Sequence, residues 1–250
     1  MLDNLLAHND AHARENRSRL DRHGVLTINL MSSPGSGKTS LLEATIRALQ
    51  GRVRIGVIEG DLETENDAKR IRALGVPAHQ ITTGTACHLD AHLVDAALDH
   101  MDLAAVDLLF VENVGNLVCP ASFDLGQHRN VVLLSVTEGD DKPAKYPVMF
   151  RAADLLLLTK CDLLDYLDDF SPERAISSLR QLASRAPALA VSAKGGAGIE
   201  NWLDWVMAQC ADHRRLLAEG RTMKPHASVE VQRARSLPPT IIFDSVTADR

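Results

Sequence analysis

Ser32-Ser33-Pro34-Gly35-Ser36-Gly37-Lys38-Thr39 places small residues, a lysine and a hydroxyl at the spacing a polyphosphate requires. Gly35, Ser36 and Gly37 let successive backbone N–H groups curl around phosphate oxygens. Lys38 can reach the β and γ phosphates, Thr39 can offer its hydroxyl to Mg2+, and a helix opening at Ser40 adds the favourable end of its dipole. The usual pattern begins with glycine, and Ser32 stands there instead. We read it as tolerated, because the later residues make the direct contacts.

Two acidic positions complete this chemistry. Val53 to Ile58 reads as a buried strand delivering Glu59-Gly60-Asp61-Leu62-Glu63-Thr64, and Asp61 is placed to hold Mg2+ beside Thr39. Ala105 to Val111 is a second such strand, ending in Glu112-Asn113-Val114-Gly115. Its form is that of a switch loop: the Glu112 carboxylate orients Mg2+ or water, and the Gly115 N–H meets the γ phosphate. Lys38, Asp61 and Glu112 are therefore the expected catalytic groups for attack by water on that phosphate. With no identifiable glutamine or arginine finger, slow turnover is expected.

Thr159-Lys160-Cys161-Asp162 follows a further apolar strand. A carboxylate at Asp162 accepts two hydrogen bonds from the N1–H and exocyclic amine of guanine, which adenine cannot offer, while the stem of Lys160 covers the base. The motif usually begins with Asn, and Thr159 is expected to weaken loop bracing without changing base choice. Ser192-Ala193-Lys194 then supplies backbone contacts to the guanine oxygen. The ligand expected is GTP or GDP.

Cys119 lies four residues beyond Gly115, so movement of the switch loop should be felt there. Thr82 to His88 leads into a helical run from Leu89 to Met101, which puts Cys87 and His88 near a helix N-terminus, where thiolate is favoured. Thiolate and imidazole suit both Zn2+ and Ni2+, so donor type alone does not select the ion. Cys161 and Cys210 read as packing residues.

These residues need a scaffold, and the pattern of the chain provides one. Strand-like runs at Val25 to Met31, Val53 to Ile58, Ala78 to Ile81, Ala105 to Val111, Val131 to Val136, Leu155 to Thr159 and Ala188 to Val191 alternate with helical segments. That order implies an α/β fold, a P-loop GTPase with a mainly parallel central sheet flanked by helices on both faces. We expect an N-terminal helical segment over residues 1–22, a GTPase domain over 23–212 closed by an amphipathic helix from Ile199 to Cys210, and a weakly structured tail over 213–250. The proline-marked segment Glu138 to Pro147 reads mostly as loop. His8 and His12 share one face of the first helix, but no further ligand is evident beside them, and we read no metal site there.

The 250 residues carry a formal net charge of −6 and no basic run, which excludes a general affinity for nucleic acid. No apolar run reaches the length of a membrane span and no signal-peptide pattern is present, so a cytoplasmic location away from membranes is expected.

Taken together, the phosphate loop, Glu59 to Thr64, Gly84-Thr85-Ala86-Cys87-His88-Leu89-Asp90, Glu112 to Pro120 and Glu138-Gly139-Asp140-Asp141-Lys142-Pro143 closely resemble the HypB family of nickel-incorporation GTPases. The resemblance covers roughly Asn4 to Met207. It implies a GTPase metallochaperone that forms a GTP-dependent homodimer with a metal site at the interface. Cys87, His88 and Cys119 match the family's ligands. It further implies a HypA-type nickel chaperone as partner and a [NiFe]-hydrogenase large subunit precursor as recipient. The cysteine motif or long histidine-rich stretch that some members carry at the N-terminus is absent here, which favours delivery over storage. The alternatives are a urease-type nickel GTPase, a small-molecule kinase and a nucleotide-independent metal buffer.

Overall fold

The computed structural model describes residues 2–61, 65–84, 86–182 and 184–226. The motif residues 62–64 and Thr85, and the apolar run Ile241 to Phe243 of the tail, lie outside it. Seven strands form one sheet: β1 Leu26–Met31, β2 Ile55–Asp61, β3 Ala78–Thr82, β4 Leu108–Glu112, β5 Arg129–Ser135, β6 Leu155–Thr159 and β7 Ala188–Val191. Their order is β3-β2-β4-β1-β5-β6-β7, and every pairing is parallel. A parallel sheet is covered on both faces, which is why β4 and β6 are unbroken apolar runs up to their last residue or two.

The helices are α1 Leu2–Arg22, α2 Lys38–Leu49, α3 Asn66–Arg72, α4 Ala91–Leu98, α5 Lys142–Lys145, α6 Pro147–Arg151, α7 Pro172–Gln181 and α8 Ile199–Ala218. Successive strand residues point to opposite faces. Ile28, Phe110, Leu133 and Leu157 pack against α2 and α8, where Trp202 is fully buried and donates to Thr45 Oγ1 at 2.8 Å. On the other face, Val132, Leu134 and Leu156 meet α6 and α7, and Ile58, Leu109 and Val111 meet α1 and α4. Winding to either side of β1 leaves a crevice at the C-terminal ends of the central strands, the ordinary place for a ligand in such a sheet.

Three expectations need correction. The segment from Glu138 to Pro147 is not mainly loop: Pro143 and Pro147 each occupy the first turn of a short helix, where a missing N–H costs nothing. Helix α8 does not stop at Cys210 but continues to Ala218, with His213 fully buried. Met223 packs into the core beyond it, so residues 213–226 belong to the folded unit rather than to a loose tail.

Helix α1 is part of the core, through Ala13 and Leu20. Its C-terminal end carries Asp21, whose Oδ1 accepts from Nε2 of His128 at 3.0 Å and of His213 at 3.1 Å. Nδ1 of His128 accepts the Thr27 N–H at 2.9 Å, so the neutral ring carries its proton on Nε2 and donates it to Asp21. Three donor groups of metal-ligating type thus converge here, but His128 has no lone pair left for an ion, and the cluster is a hydrogen-bonded tie between α1, β5 and α8.

Burial depresses the pKa of His128 to about 4, outweighing its bond to Asp21, while His213 and Arg17 act in the same direction as burial. Burial alone would raise Asp21, but bonds from His128, His213 and Thr222 hold it well below the usual carboxylate range. Unfolded His128 takes up a proton near pH 6.5 and the folded group does not until about pH 4. Stability is therefore expected to fall as pH drops through that window, by on the order of 3 kcal/mol at about 1.4 kcal/mol per pH unit. Thermal unfolding between pH 7 and 4.5 checks this, and a His128→Asn variant should show a flatter dependence despite its lower baseline.

Candidate functional site

Between β1 and α2, the phosphate-loop backbone borders a cavity of about 450 Å³ at the strand ends, lined by Gly35, Gly37, Lys38, Thr39, Ser40 and, from opposite, Gly115. Lys38 Nζ donates to Ser32 Oγ at 2.9 Å, and Ser32 Oγ donates in turn to Ser33 O at 2.7 Å. The serine at the loop's first position thus gives Lys38 a neutral partner that a phosphate oxygen can replace. Glu138 clamps the other side: its carboxylate accepts from the hydroxyls of Ser33 and Ser36 and from the Ser135 N–H. Nothing in sequence spacing places Glu138 on this loop, 102 to 105 residues before it in the chain.

Glu112 is at the end of β4 and accepts from Thr39 Oγ1 at 3.0 Å. Its neighbour in register on β2 is Glu59, a pairing that sequence spacing does not reveal. Burial is the largest cause pushing both carboxyls up, and the charge of Glu112 raises Glu59 further, so one proton stays on the pair with Glu59 as its holder. That proton bonds Glu59 to Glu112, and neither Glu59 Oε1 nor Glu112 Oε2 has any other hydrogen-bond partner. The Glu112 carboxylate beside the Thr39 hydroxyl is a donor set of the hard kind that Mg2+ takes. Asp61, two residues further along β2, lines the same cavity. Arg70 also borders it, with its guanidinium held by Glu43 at 3.0 Å and Asp67 at 2.9 Å.

A second cavity of about 290 Å³ adjoins this one and shares Gly37, Ser40 and Lys160 with it. Its walls include Ser36, Asp162, Ala193 and Lys194, so the two loops expected to read a base do meet. Thr159 Oγ1 donates to Ser36 O at 2.7 Å, and the brace expected to weaken is intact. Ser192 takes a different part from the one expected. Its N–H is spent on Ala197 O, and its hydroxyl donates to Asp162 Oδ1 at 2.5 Å. Ser192 orients the carboxylate, and backbone N–H groups for a base oxygen remain at Ala193 and Lys194.

The third cluster sits where the loop after β4 meets the segment before α4. Cys87 Sγ is 3.1 Å from Cys119 Sγ and 3.8 Å from His88 Nδ1. All three donor atoms lie within 4.8 Å of one another, with Cys87 exposed and the others half-buried. His88 stacks on Phe123 with ring centroids 4.0 Å apart, which fixes its plane. Its pKa is lowered by burial, so the ring stays neutral and able to bind metal. The Cys119 thiol is pushed up, first by its contact with Cys87 and then by burial. Among the described residues these are three donors with an open side, fewer than a closed tetrahedral site requires.

Asn116 connects the two ends. Its N–H donates to Ser32 O at 2.8 Å, its side-chain amide donates to Cys87 O at 3.4 Å, and its Oδ1 accepts from Val118 N at 2.8 Å. One residue thus touches the phosphate loop, the Cys87 segment and the approach to Cys119. Asn9 and Asn16 of α1 add a second tie: Asn9 bonds Ala91 N and Asp124 O, while Asn16 bonds Ala91 O and Leu125 O. Both tie the chain just after Cys87 and His88 to the chain just after Cys119. An amphipathic pattern did not reveal them, because buried asparagines read as exposed polar residues.

A family model described as CobW/HypB/UreG, nucleotide-binding domain, matches residues 26–189. The chain is 55% identical over 205 residues to the hydrogenase maturation factor HypB of Azotobacter vinelandii, covering 82% of this chain and 67% of that protein. Among solved structures, HypB from Helicobacter pylori in complex with nickel superposes with a TM-score of 0.79 at 41% identity, over 82% of this chain and 96% of that one. HypB from Archaeoglobus fulgidus superposes with a TM-score of 0.77 at 40% identity, over 82% and 100% respectively.

Gly115 offers a direct test of the joined loops. A Cβ there would lie 2.8 Å from both Cα and N of Pro34, which are backbone atoms that cannot swing aside. Gly115→Ala is expected to push the switch and phosphate loops apart, costing about 1 to 3 kcal/mol of stability as overpacking does. A fluorescent-GDP titration should show affinity weakened by about tenfold, the equivalent of roughly 1.4 kcal/mol.

Proposed function

The chain belongs to the CobW/HypB/UreG family, among the HypB hydrogenase maturation factors, and from that membership we propose that it hydrolyses GTP to control delivery of nickel to a [NiFe]-hydrogenase. The observation that carries this reading is Asn116, through which a segment of a few residues touches both the phosphate loop and the Cys87, His88 and Cys119 cluster.

GTP would lie with its base against Asp162 and its phosphates along Gly35, Gly37 and Lys38. Lys38 moves from Ser32 to the phosphates, and Ser36 and Thr39 offer hydroxyls. Thr39 and Glu112, with Asp61 nearby, would hold Mg2+, which supplies positive charge to neutralise the β and γ phosphates. Water attacks the γ phosphate while Lys38 stabilises the charge that develops on its oxygens. Among the described residues no glutamine borders the phosphate cavity, and Arg70 is tied to two carboxylates, which supports slow turnover by the chain alone.

Nickel is cargo here. Two thiols and an imidazole open to one side call for a second chain to complete the ion's shell. Val118, 57% exposed beside Cys119, supports a contact at that face. We therefore assign a GTP-dependent homodimer whose interface includes the metal cluster, with Zn2+ able to compete for the same donors. A HypA-type chaperone and the hydrogenase large subunit precursor are its proposed partners.

Because Asn116 spans both sites, nickel affinity should differ by about 5- to 150-fold between GDP and a non-hydrolysable GTP analogue, the range of ordinary allosteric coupling. Calorimetry combined with sedimentation measures both affinity and dimerisation. Asn116→Ala should collapse the difference while each ligand still binds, and equal nickel affinity in the two states of the unaltered protein would sink the reading. Separately, Asp162→Ala should weaken GDP by more than about 100-fold, since two charge-assisted hydrogen bonds at about 1.5 to 3 kcal/mol each are removed. If ADP then competes no better against GDP than before, Asp162 does not choose the base.

A further inference from the structure

On the exposed side of α1 the imidazoles of His8 and His12 converge. Their Nε2 atoms are 3.3 Å apart, and the rings meet edge to face at a centroid distance of 4.8 Å. Two cis donors on one divalent ion, with metal–nitrogen bonds of about 2.0 to 2.1 Å and angles between square and tetrahedral, stand about 2.8 to 3.4 Å apart. The observed separation matches that of a chelate; without an ion the same contact is an N–H···N hydrogen bond between the rings, which binding would replace with loss of one proton.

Spacing along the helix was insufficient to read a site, because no other group was evident nearby. The fold supplies what was missing. Glu15 Oε2 lies 3.9 Å from Nδ1 of His12, a nitrogen that is buried and has no hydrogen-bond partner. At that distance Glu15 does not hydrogen-bond the ring; its carboxylate lies on the Nδ1 side, and Nε2 is the nitrogen that faces His8. His92, on the first turn of α4, brings its ring to 5.5 Å from that of His12. It follows His88 by four residues.

We propose that His8 and His12, flanked by His92, form a second metal site of the chain, for borderline divalent ions such as Ni2+ and Zn2+ that imidazole prefers. The site contains no thiolate, stands open to water on the outer face of the α1–α4 pair, and is independent of nucleotide. Its place beside the segment that carries Cys87 and His88 suits a point of capture rather than of storage.

The test is titration of the untagged full chain with Ni2+ alone, and then Zn2+ alone, followed by calorimetry and by absorption. Four proteins are compared: the unaltered chain, Cys87→Ala/Cys119→Ala, His8→Ala/His12→Ala, and the combination. Alanine is the best helix former and both histidines are on the outer side of α1, so the helix should persist, as circular dichroism will show. The thiol-less chain should keep one Ni2+ per chain, with weak d–d bands and no thiolate-to-nickel charge transfer. Adding the two histidine changes should weaken that binding at least tenfold, whereas the histidine changes alone should leave the charge-transfer signal intact. Residual binding of equal strength with and without His8 and His12, or no binding at all by the thiol-less chain, overturns the proposal. The charge-transfer signal reports the Cys87, His88 and Cys119 cluster separately, so failure of this site is distinguishable from failure of the proposed function.

Discussion

The backbone of the loop after β4 lies directly against the phosphate loop, with no room for even a methyl group between Gly115 and Pro34. That contact follows from strand order. β1 and β4 are hydrogen-bonded neighbours, so the loops leaving their C-terminal ends must emerge side by side. Once they do, Asn116 N–H reaches Ser32 O, Thr39 reaches Glu112, and Cys119 is carried toward Cys87. An event at the phosphates cannot displace one loop without the other, because close-packed backbone transmits displacement rather than absorbing it.

Beneath this contact runs a chain of buried amides. Leu89 N donates to Asn113 Oδ1, Asn113 Nδ2 to Asn29 Oδ1, and Asn29 Nδ2 to Asn130 Oδ1, where Gln127 also donates. Gln127 Oε1 then accepts from Leu125 N, in the loop that Asn16 of α1 holds. Gly126, at φ +93°, passes so close to α1 that a Cβ would meet that of Asn16 at 2.5 Å. Buried amides left unpaired are costly, so the network selects one arrangement of the strand ends and of the segments that carry Cys87, His88 and Cys119. The first helix thereby becomes a structural part of the Cys/His cluster without contributing a ligand to it.

The electrostatics of the crevice have the same origin. Neighbouring parallel strands in register put Glu59 beside Glu112, and burial prevents both from carrying charge at once. Lys38 is the cation nearest enough to oppose this, yet its ammonium is bonded to a serine hydroxyl. A site with a raised carboxyl pair and a cation on a neutral partner is prepared for a ligand that brings both negative phosphates and a divalent cation.

The alternation of strand-like and helical runs and the small-residue loop before Lys38 were legible in the linear chain, as were a thiol and an imidazole side by side at Cys87 and His88, whereas the grouping of Cys119 with them was implied by the family resemblance. Each of the legible features is a local statement: a buried parallel strand must be apolar, a phosphate cradle must be small, and a thiol beside an imidazole is a metal donor wherever it lies. Boundaries were also nearly right where a turn residue marks them, and wrong where burial decides, as at the end of α8, whose last turns are held by His213 and followed by Met223 in the core. Glu59, Asn116, Glu138 and the asparagines of α1 could not be read in advance. Their distant partners lie from 29 to 115 residues away in the chain, and a polar side chain looks the same in sequence whether it faces water or a buried carbonyl. Residue types and their order determined what chemistry the chain can do. Only the parallel register of β1, β2 and β4 and the docking of α1 decided which of those groups meet, because that depends on which strand ends are neighbours in space.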